Sequence, residues 1–348
     1  PDNHCYPLWY NGHGIAPGKL NQGYWQYVKP DWYYACGEFG AEGLDDVELM
    51  RNRYPEDWLP QSPAEEKEWS PNQIVRAQTG DFHYFWFDTP DNLKEWVEAS
   101  QKHQAWATRW LTEAFRRDSK MVSFAIHLLI DAFPSGWMKA IMDCERNPKP
   151  AYFVYRDLLS PLMVSLRTDR YTYFDDEKIE VEAWVANDFN QVIEDVYLYY
   201  QVEKDDDIIF SNKTEAEIPV NSSQFQGYIS LPAPEIEERN SVKVRLGLVN
   251  GEGKVIHDTE IVIDIFSASY KKNDQSVYPI YDQGGKAFTS DLIREMNLDI
   301  ISKKELDGDS VMLIDDYKEY KDQQTIIDNE VKKGATAVFL ELPEGDYE

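Results

Sequence analysis

Three hydrophobic periodicities succeed one another along the 348 residues, and no single layered core can satisfy all of them. Up to about Leu159, short apolar runs flank one long helical pattern, and this order of strand, long excursion, helix and strand matches consecutive units of a parallel α/β barrel. From Pro161 to about Ser267, apolar residues fall mainly at every second position, as in Glu177 to Val185, Val196 to Val202, Phe225 to Leu231, Val242 to Leu248 and Ile256 to Ile265. Separated by short Asn, Asp and Gly turns, these stretches predict an antiparallel β-sandwich of about a hundred residues. Beyond Tyr270, short apolar runs at Val277 to Tyr281, Val311 to Ile314 and Ala335 to Leu340 alternate with helical patterns at Lys286 to Met296 and Tyr320 to Lys333. That alternation predicts a small parallel-sheet α/β domain, flavodoxin-like at the coarse level. The expected boundaries are 1–160, 161–268 and 269–348.

Within the first region, Trp32 to Asp45 ends an apolar run abruptly on Gly37 and the carboxylate of Glu38. A short apolar run bounded by glycines reads as a strand buried on both faces, and in a (β/α)₈ barrel the residue past its C-terminal end points into the active-site mouth. Glu38 is then either a catalytic acid delivered by a strand or a solvated glutamate in an ordinary turn. Thr89 with Pro90 marks a helix start, and Leu93, Trp96, Val97, Ser100, Gln104, Ala107, Leu111 and Ala114 recur along about seven turns with one buried face. Met121 to Asp131 follows as a buried strand that again terminates in a carboxylate. The excursion from Arg51 to Thr89 holds Phe82 to Phe87, readable as a buried aromatic strand or as a platform for sugar faces.

A net charge of −28 opposes nucleic acid and anionic membranes, and no apolar stretch approaches the roughly 20 residues of a spanning helix. Cys5, Cys36 and Cys144 are too few and too scattered for a disulfide framework or a metal site. They read as small buried hydrophobes, with a single disulfide as the alternative, and leave the compartment open. Gly284-Gly285 is a tight turn or an anion-holding helix start, and the final segment has neither Cys nor His for a nucleophilic pair.

Four segments together, Asp2 to Tyr6 with Trp9-Tyr10, Gly37 to Gly40, Ile130 to Trp137 and Asn147 to Tyr152, resemble the second half of a glycoside hydrolase family 2 catalytic barrel in wording, order and spacing. That family includes β-galactosidases, β-glucuronidases and β-mannosidases, and the resemblance covers roughly the first 185 residues. It implies the C-terminal part of a TIM barrel, then an immunoglobulin-like sandwich, with a less specific likeness of the last segment to amidotransferase-like accessory domains. It assigns Glu38 as the nucleophile of a retaining hydrolase. The same resemblance implies substrate contact by His4, with Tyr6 and Trp9 as wall residues. Strand eight of the family commonly reads W-x-x-N-D, whereas here it reads His127-Leu128-Leu129-Ile130-Asp131. His127 is either the floor of the subsite or a core histidine, and Asp131 joins the substrate-binding candidates. Trp137 and Asn147 to Tyr152 match positions that pack the barrel's closing turn.

A retaining glycosidase needs two carboxyl groups about 5 to 5.5 Å apart, one attacking and one protonating the leaving oxygen. The family's acid follows strand four, upstream of this sequence, and Asp2, Glu42 and Asp131 do not occupy its position. A full barrel takes about 250 residues, so the expectation is a retaining exo-β-glycosidase portion completed by an upstream half-barrel or a complementing chain. No cofactor or metal is required, and the partner is a carbohydrate substrate. The competing expectation is a non-catalytic carbohydrate-binding or assembly module.

Overall fold

The computed structural model describes residues 2–10, 17–22, 32–271, 278–281, 294, 300–303, 307–308, 310–314 and 317–340. The chain divides into two compact units, the first comprising Pro1–Tyr171, Lys178–Leu231 and Ser241–Asp264, the second Thr172–Glu177, Pro232–Asn240 and Ile265–Glu348.

In the first unit, three parallel strands lie side by side in the order β1 (Asp2–Cys5), β2 (Tyr34–Phe39) and β3 (Met121–Ile126). Helix α1 (Pro17–Asn21) precedes β2, and the excursion after it holds α2 (Val47–Arg53), the single turns α3 (Pro63–Glu66) and α4 (Thr79–Phe82), and the long α5 (Leu93–Arg117). The apolar stripe of α5 buries Ala107, Leu111, Ala114 and Phe115 against Cys5, Cys36 and Phe39 of the strands, with the Phe39 and Phe115 rings 5.1 Å apart edge to face. The short helix α6 (Pro150–Leu158) has proline at its first position, a start that the reading of Asn147 to Tyr152 as turn packing overlooked.

Four expectations for this region need correction. Trp32 and Tyr33 are exposed, at 50% and 67%, because the strand begins only at Tyr34. The strand expected from Met121 to Asp131 stops at Ile126 and is not buried, since it forms one edge of the described sheet and Val122 is 65% exposed. Helix α5 starts three residues later than Thr89-Pro90 suggests: Asn92 caps it by accepting from the Glu95 amide at 3.1 Å, while the Glu95 carboxylate accepts from the Asp91 amide at 3.1 Å. Thr89 instead places its hydroxyl 2.8 Å from His83 Nε2. Phe82 to Phe87 is no strand but helical turns, with the His83 ring pinned to the Gly80 carbonyl and packed 4.6 Å from Trp96.

The first unit continues into antiparallel sheets. One has the order β4 (Leu162–Arg167), β6 (Lys178–Asn187) and β9 (Ser222–Pro232); another runs β11 (Val255–Phe266), β10 (Arg239–Asn250), β7 (Val196–Lys204) and β8 (Asp207–Glu215). Strand β6 alternates buried Ile179, Val181, Ala183 and Val185 with less buried neighbours, as its period-2 pattern predicts. Strand β8 escaped the pattern because nearly all its residues are exposed. A hydrogen bond of 3.3 Å from the Val164 amide of β4 to His257 Nδ1 of β11 links the two sheets.

The second unit includes β5 (Thr172–Phe174) and a parallel sheet of β12 (Tyr278–Tyr281), β13 (Ile300–Lys303), β14 (Val311–Ile314) and β15 (Thr336–Phe339), ordered β13-β12-β14-β15. Helix α7 (Tyr317–Val331) buries Ile327 with Met312 and Ile314. Gly284-Gly285 and, Arg294 apart, the helix expected from Lys286 to Met296 lie outside the described residues.

Replacing the cap, Asn92→Ala, is expected to destabilise the first unit by about 1 kcal/mol. Urea unfolding followed by tryptophan fluorescence should show a lower midpoint; an unchanged midpoint would mean that packing alone fixes the start of α5.

Candidate active site

Strand register brings the first two candidates together. The parallel pairing of β1 and β2 sets His4 directly opposite Glu38 and Cys5 opposite Phe39. His4 Nδ1 consequently lies 3.2 Å from Glu38 Oε2, and the Tyr6 hydroxyl just beyond β1 donates to the same oxygen at 2.8 Å. On the other side, the His127 amide continues the ladder past β3 by donating to the Phe39 carbonyl at 2.9 Å, which leaves His127 Nε2 4.0 Å from Glu38 Oε1. The backbone can turn away here because Gly40 has a φ of +148°, and a Cβ at that position would meet the His127 carbonyl at 3.2 Å. Glu38 keeps 35% of its side chain exposed, with His4 more open at 52% and His127 more enclosed at 14%.

Burial shifts the protonation equilibria of two groups beside Glu38, Tyr6 and His127. Burial, reinforced by the hydrogen bond to Glu38, raises the Tyr6 pKa far above that of a free phenol, so the hydroxyl remains a donor to the carboxylate. Burial outweighs the attraction of Glu38 and lowers the His127 pKa, favouring a neutral imidazole beside the carboxylate. Its ring lies 5.2 Å from that of Trp137 and 6.4 Å from Tyr6. Trp137, read from sequence as closing-turn packing, therefore also borders the His127 side of the site.

Behind Tyr6 is a group that no sequence pattern signals. Lys139 is only 2% exposed, and its Nζ donates to the Tyr10 hydroxyl at 2.5 Å while lying 4.6, 4.4 and 5.5 Å from the ring centroids of Tyr6, Tyr10 and Trp137. The Tyr10 hydroxyl in turn donates to Gln78 Oε1 at 2.9 Å. Gln78 and the Met138-Lys139 segment are tied down by one buried carboxylate: Glu42 Oε2 accepts from the Gln78 amide, the Thr79 amide and the Thr79 hydroxyl at 2.7 to 2.8 Å, and Oε1 accepts from the Met138 amide at 3.2 Å. From α5, fully buried Gln104 donates to the carbonyls of Ala41, Lys139 and Ala140.

The other candidates lie elsewhere. Trp9 is fully buried in the core of the strand layer, donating its Nε1 to Gln78 Oε1 at 3.0 Å, so it supports the site from behind. Asp131 is 7% exposed and feels Lys149, Asp45, Glu42 and Asp143; close by, Lys149 Nζ pairs with Asp45 at 2.8 Å. Glu42 is fully buried, and its two oxygens accept from Gln78, Thr79 and Met138 rather than facing a substrate. The Asp2 side chain lies outside the described residues. Cys5 and Cys36 are buried, and among the described residues neither they nor Cys144 form a disulfide. Among the described residues no group of His, Cys, Asp and Glu could hold a metal ion, and no helix is long and apolar enough to cross a membrane.

No family model and no curated protein sequence matches the chain. Among solved structures, a β-D-mannosidase from Dictyoglomus thermophilum superposes with a TM-score of 0.51 at 16% identity, over 76% of this chain and 30% of that one. An exo-chitosanase from Amycolatopsis orientalis gives a TM-score of 0.49 at 12% identity, over 75% and 30%. The chain thus spans under a third of the length of either structure, 30% in both cases. The mannosidase likeness defines a shared fold, mixed α/β with several β-sheets, at an identity that carries no residue's role with it.

Asp131 provides a test of how the carboxylates behind the site are balanced. Burial, opposed by Lys149 and reinforced by its acidic neighbours, raises its pKa from 3.8 to about 7. The folded state therefore holds a proton that the unfolded chain releases, so stability falls as pH rises from about 4 to about 7 and stays at the lower level above. Asp131→Asn should raise the thermal midpoint at about pH 8, by the equivalent of about 1 kcal/mol or more, and leave it unchanged near pH 4. Calorimetry at the two pH values checks this; a midpoint lowered at pH 8 would mean that the Asp131 charge is needed to balance Lys149.

Proposed function

We propose that this chain is the nucleophile-bearing portion of a retaining exo-β-glycosidase of the family 2 type. In this reading β1, β2 and β3 are closing strands of a (β/α)₈ barrel, the antiparallel sheets form an immunoglobulin-like domain, and the last segment is an accessory α/β domain. The observation that carries the proposal is the setting of Glu38, a one-third exposed carboxylate at the end of a parallel strand, held by Tyr6 and flanked by His4 and His127. The glycosidase fold likeness is in keeping with it.

The chemistry follows from which oxygen is occupied. Tyr6 and His4 both engage Oε2, leaving Oε1 as the oxygen to attack the anomeric carbon. As that bond forms, the bond to the leaving oxygen breaks, and the leaving oxygen takes a proton from an acid supplied by a complementing half-barrel, in the same polypeptide or another. Water then attacks the glycosyl ester, giving its proton to the same group acting as base, and the sugar leaves with its β configuration while Glu38 is restored as a carboxylate. The Tyr6 hydrogen bond fixes the carboxylate's orientation before attack, which is where positioning lowers a barrier. No cofactor takes part in these steps. Substrate contacts fall to His4, Tyr6 and His127, with the glycone a terminal β-linked sugar.

In the full-length protein, Glu38→Ala should lower kcat on aryl β-glycosides by at least roughly a thousandfold. Azide, small enough to enter the space left by the side chain, should restore turnover and yield the α-glycosyl azide, since it attacks from the face Glu38 vacates. Near-normal hydrolysis by the variant, or a β-glycosyl azide, would remove Glu38 from the nucleophile's role, whereas a wild-type protein that binds but does not hydrolyse these glycosides would favour a non-catalytic carbohydrate-binding module.

A further inference from the structure

We infer that Lys139 is a positioning residue for Glu38, holding the carboxylate's orientation through the Tyr6 and Tyr10 rings that enclose its ammonium group. The inference rests on the reading of Glu38 as a nucleophile and adds to it a residue that never touches substrate.

An ammonium group at 2% exposure has given up its hydration, a cost that only close compensation can offset. The compensation available is a short hydrogen bond to the Tyr10 hydroxyl, the faces of three aromatic rings, and the fields of Glu42 and Glu38. Cation–π attraction is strongest where both partners are desolvated, so the charge draws the Tyr6 and Tyr10 rings together, and these already meet edge to face at 5.6 Å. One of the two rings carries the hydroxyl that donates to Glu38 Oε2 at 2.8 Å. The other is anchored by Gln78, whose backbone is fixed by Glu42. A chain of contacts therefore runs from the buried charge to the attacking carboxylate through a single tyrosine.

Removing the charge should loosen Tyr6 without removing any group that binds a sugar. Protonation does this reversibly. Burial lowers the Lys139 pKa to about 8, with Glu42 and Glu38 opposing the shift, while burial raises both Tyr6 and Tyr10, so the lysine gives up its proton before either phenol does. The other titratable neighbour that senses it is His127, which Lys139 helps to keep neutral. Activity should accordingly fall as the pH rises through about 8, as the ammonium becomes an amine and its hold on the rings weakens.

The test is steady-state hydrolysis of p-nitrophenyl β-glycosides by the full-length protein, from about pH 5 to about pH 10. Lys139→Met should lower kcat by about tenfold or more with KM changed less than about threefold, and should abolish the alkaline limb. Lys139→Arg, which keeps the charge and titrates far higher, should recover part of the rate and move that limb upward. Because Lys139 acts through Tyr6, adding Lys139→Met to Tyr6→Phe should cost little beyond Tyr6→Phe alone. A Lys139→Met enzyme with wild-type kcat and an unmoved alkaline limb overturns the inference, as does an arginine variant with an unmoved limb or a double variant whose penalties multiply. Hydrolysis of none of these glycosides by the wild-type protein would instead overturn the nucleophile reading, and this inference with it.

Discussion

A carboxylate that water does not reach, Glu42, determines where the groups around Glu38 can be. Buried without hydrogen bonds, such a charge would cost several kcal/mol. It is tolerated because four donors converge on it, from Gln78, Thr79 and Met138. Burial still raises its pKa, those donors opposing the shift. The geometric result is that three segments distant in sequence, the exit of β2, the turn entering α4 and the stretch before Lys139, are tied to one point. Gln104 of α5 secures the same place by donating to the carbonyls of Ala41, Lys139 and Ala140.

From that point the site is built outward through a chain of contacts that ends at a partly exposed carboxylate. Fully enclosed Glu42 fixes Gln78; Gln78 receives the polar edges of Trp9 and Tyr10; Tyr10 and Tyr6 enclose Lys139; Tyr6 holds Glu38, whose surface is 35% open. Each polar group in the chain of contacts satisfies the one before it, which is what allows so many to lie in an apolar setting. Preorganisation of this kind is what a carboxylate needs if it is to attack without first paying to reorient. The same logic demotes two candidates, since Trp9 is fully buried as support for Gln78 and Asp131 belongs with Asp45 and Lys149.

What could be read from the chain follows its physics. A strand at Gly37-Glu38 was legible because its apolar residues leave a local pattern, although it runs on through Glu38 to Phe39 and is not buried on both faces; the body of α5 was legible because a single buried face repeats. Its start was not, because the Asn92-Glu95 box and the Thr89-Pro90 pair offer rival beginnings and only tertiary contact, His83 against Thr89, decides between them. The aromatic run Phe82 to Phe87 has no period to distinguish strand from helix, and β8, exposed along most of its length, has no inward face to alternate. His4 beside Glu38 is a fact of register between strands more than thirty residues apart, invisible to any local pattern and reached only through a family resemblance. Lys139 left no trace at all, since a lysine's burial depends on two tyrosines at the other end of the region.

The central claim is that Glu38 forms a covalent bond to sugar. Incubating the full-length protein with a set of activated 2-fluoro β-glycosides, then digesting it and sequencing the peptides by mass spectrometry, tests that claim directly, because the fluorine slows release of the glycosyl ester. The account predicts one fluoroglycosyl adduct, carried by Glu38. Hydrolysis with the adduct on another carboxylate would contradict it, as would turnover of the same reagents with no adduct formed.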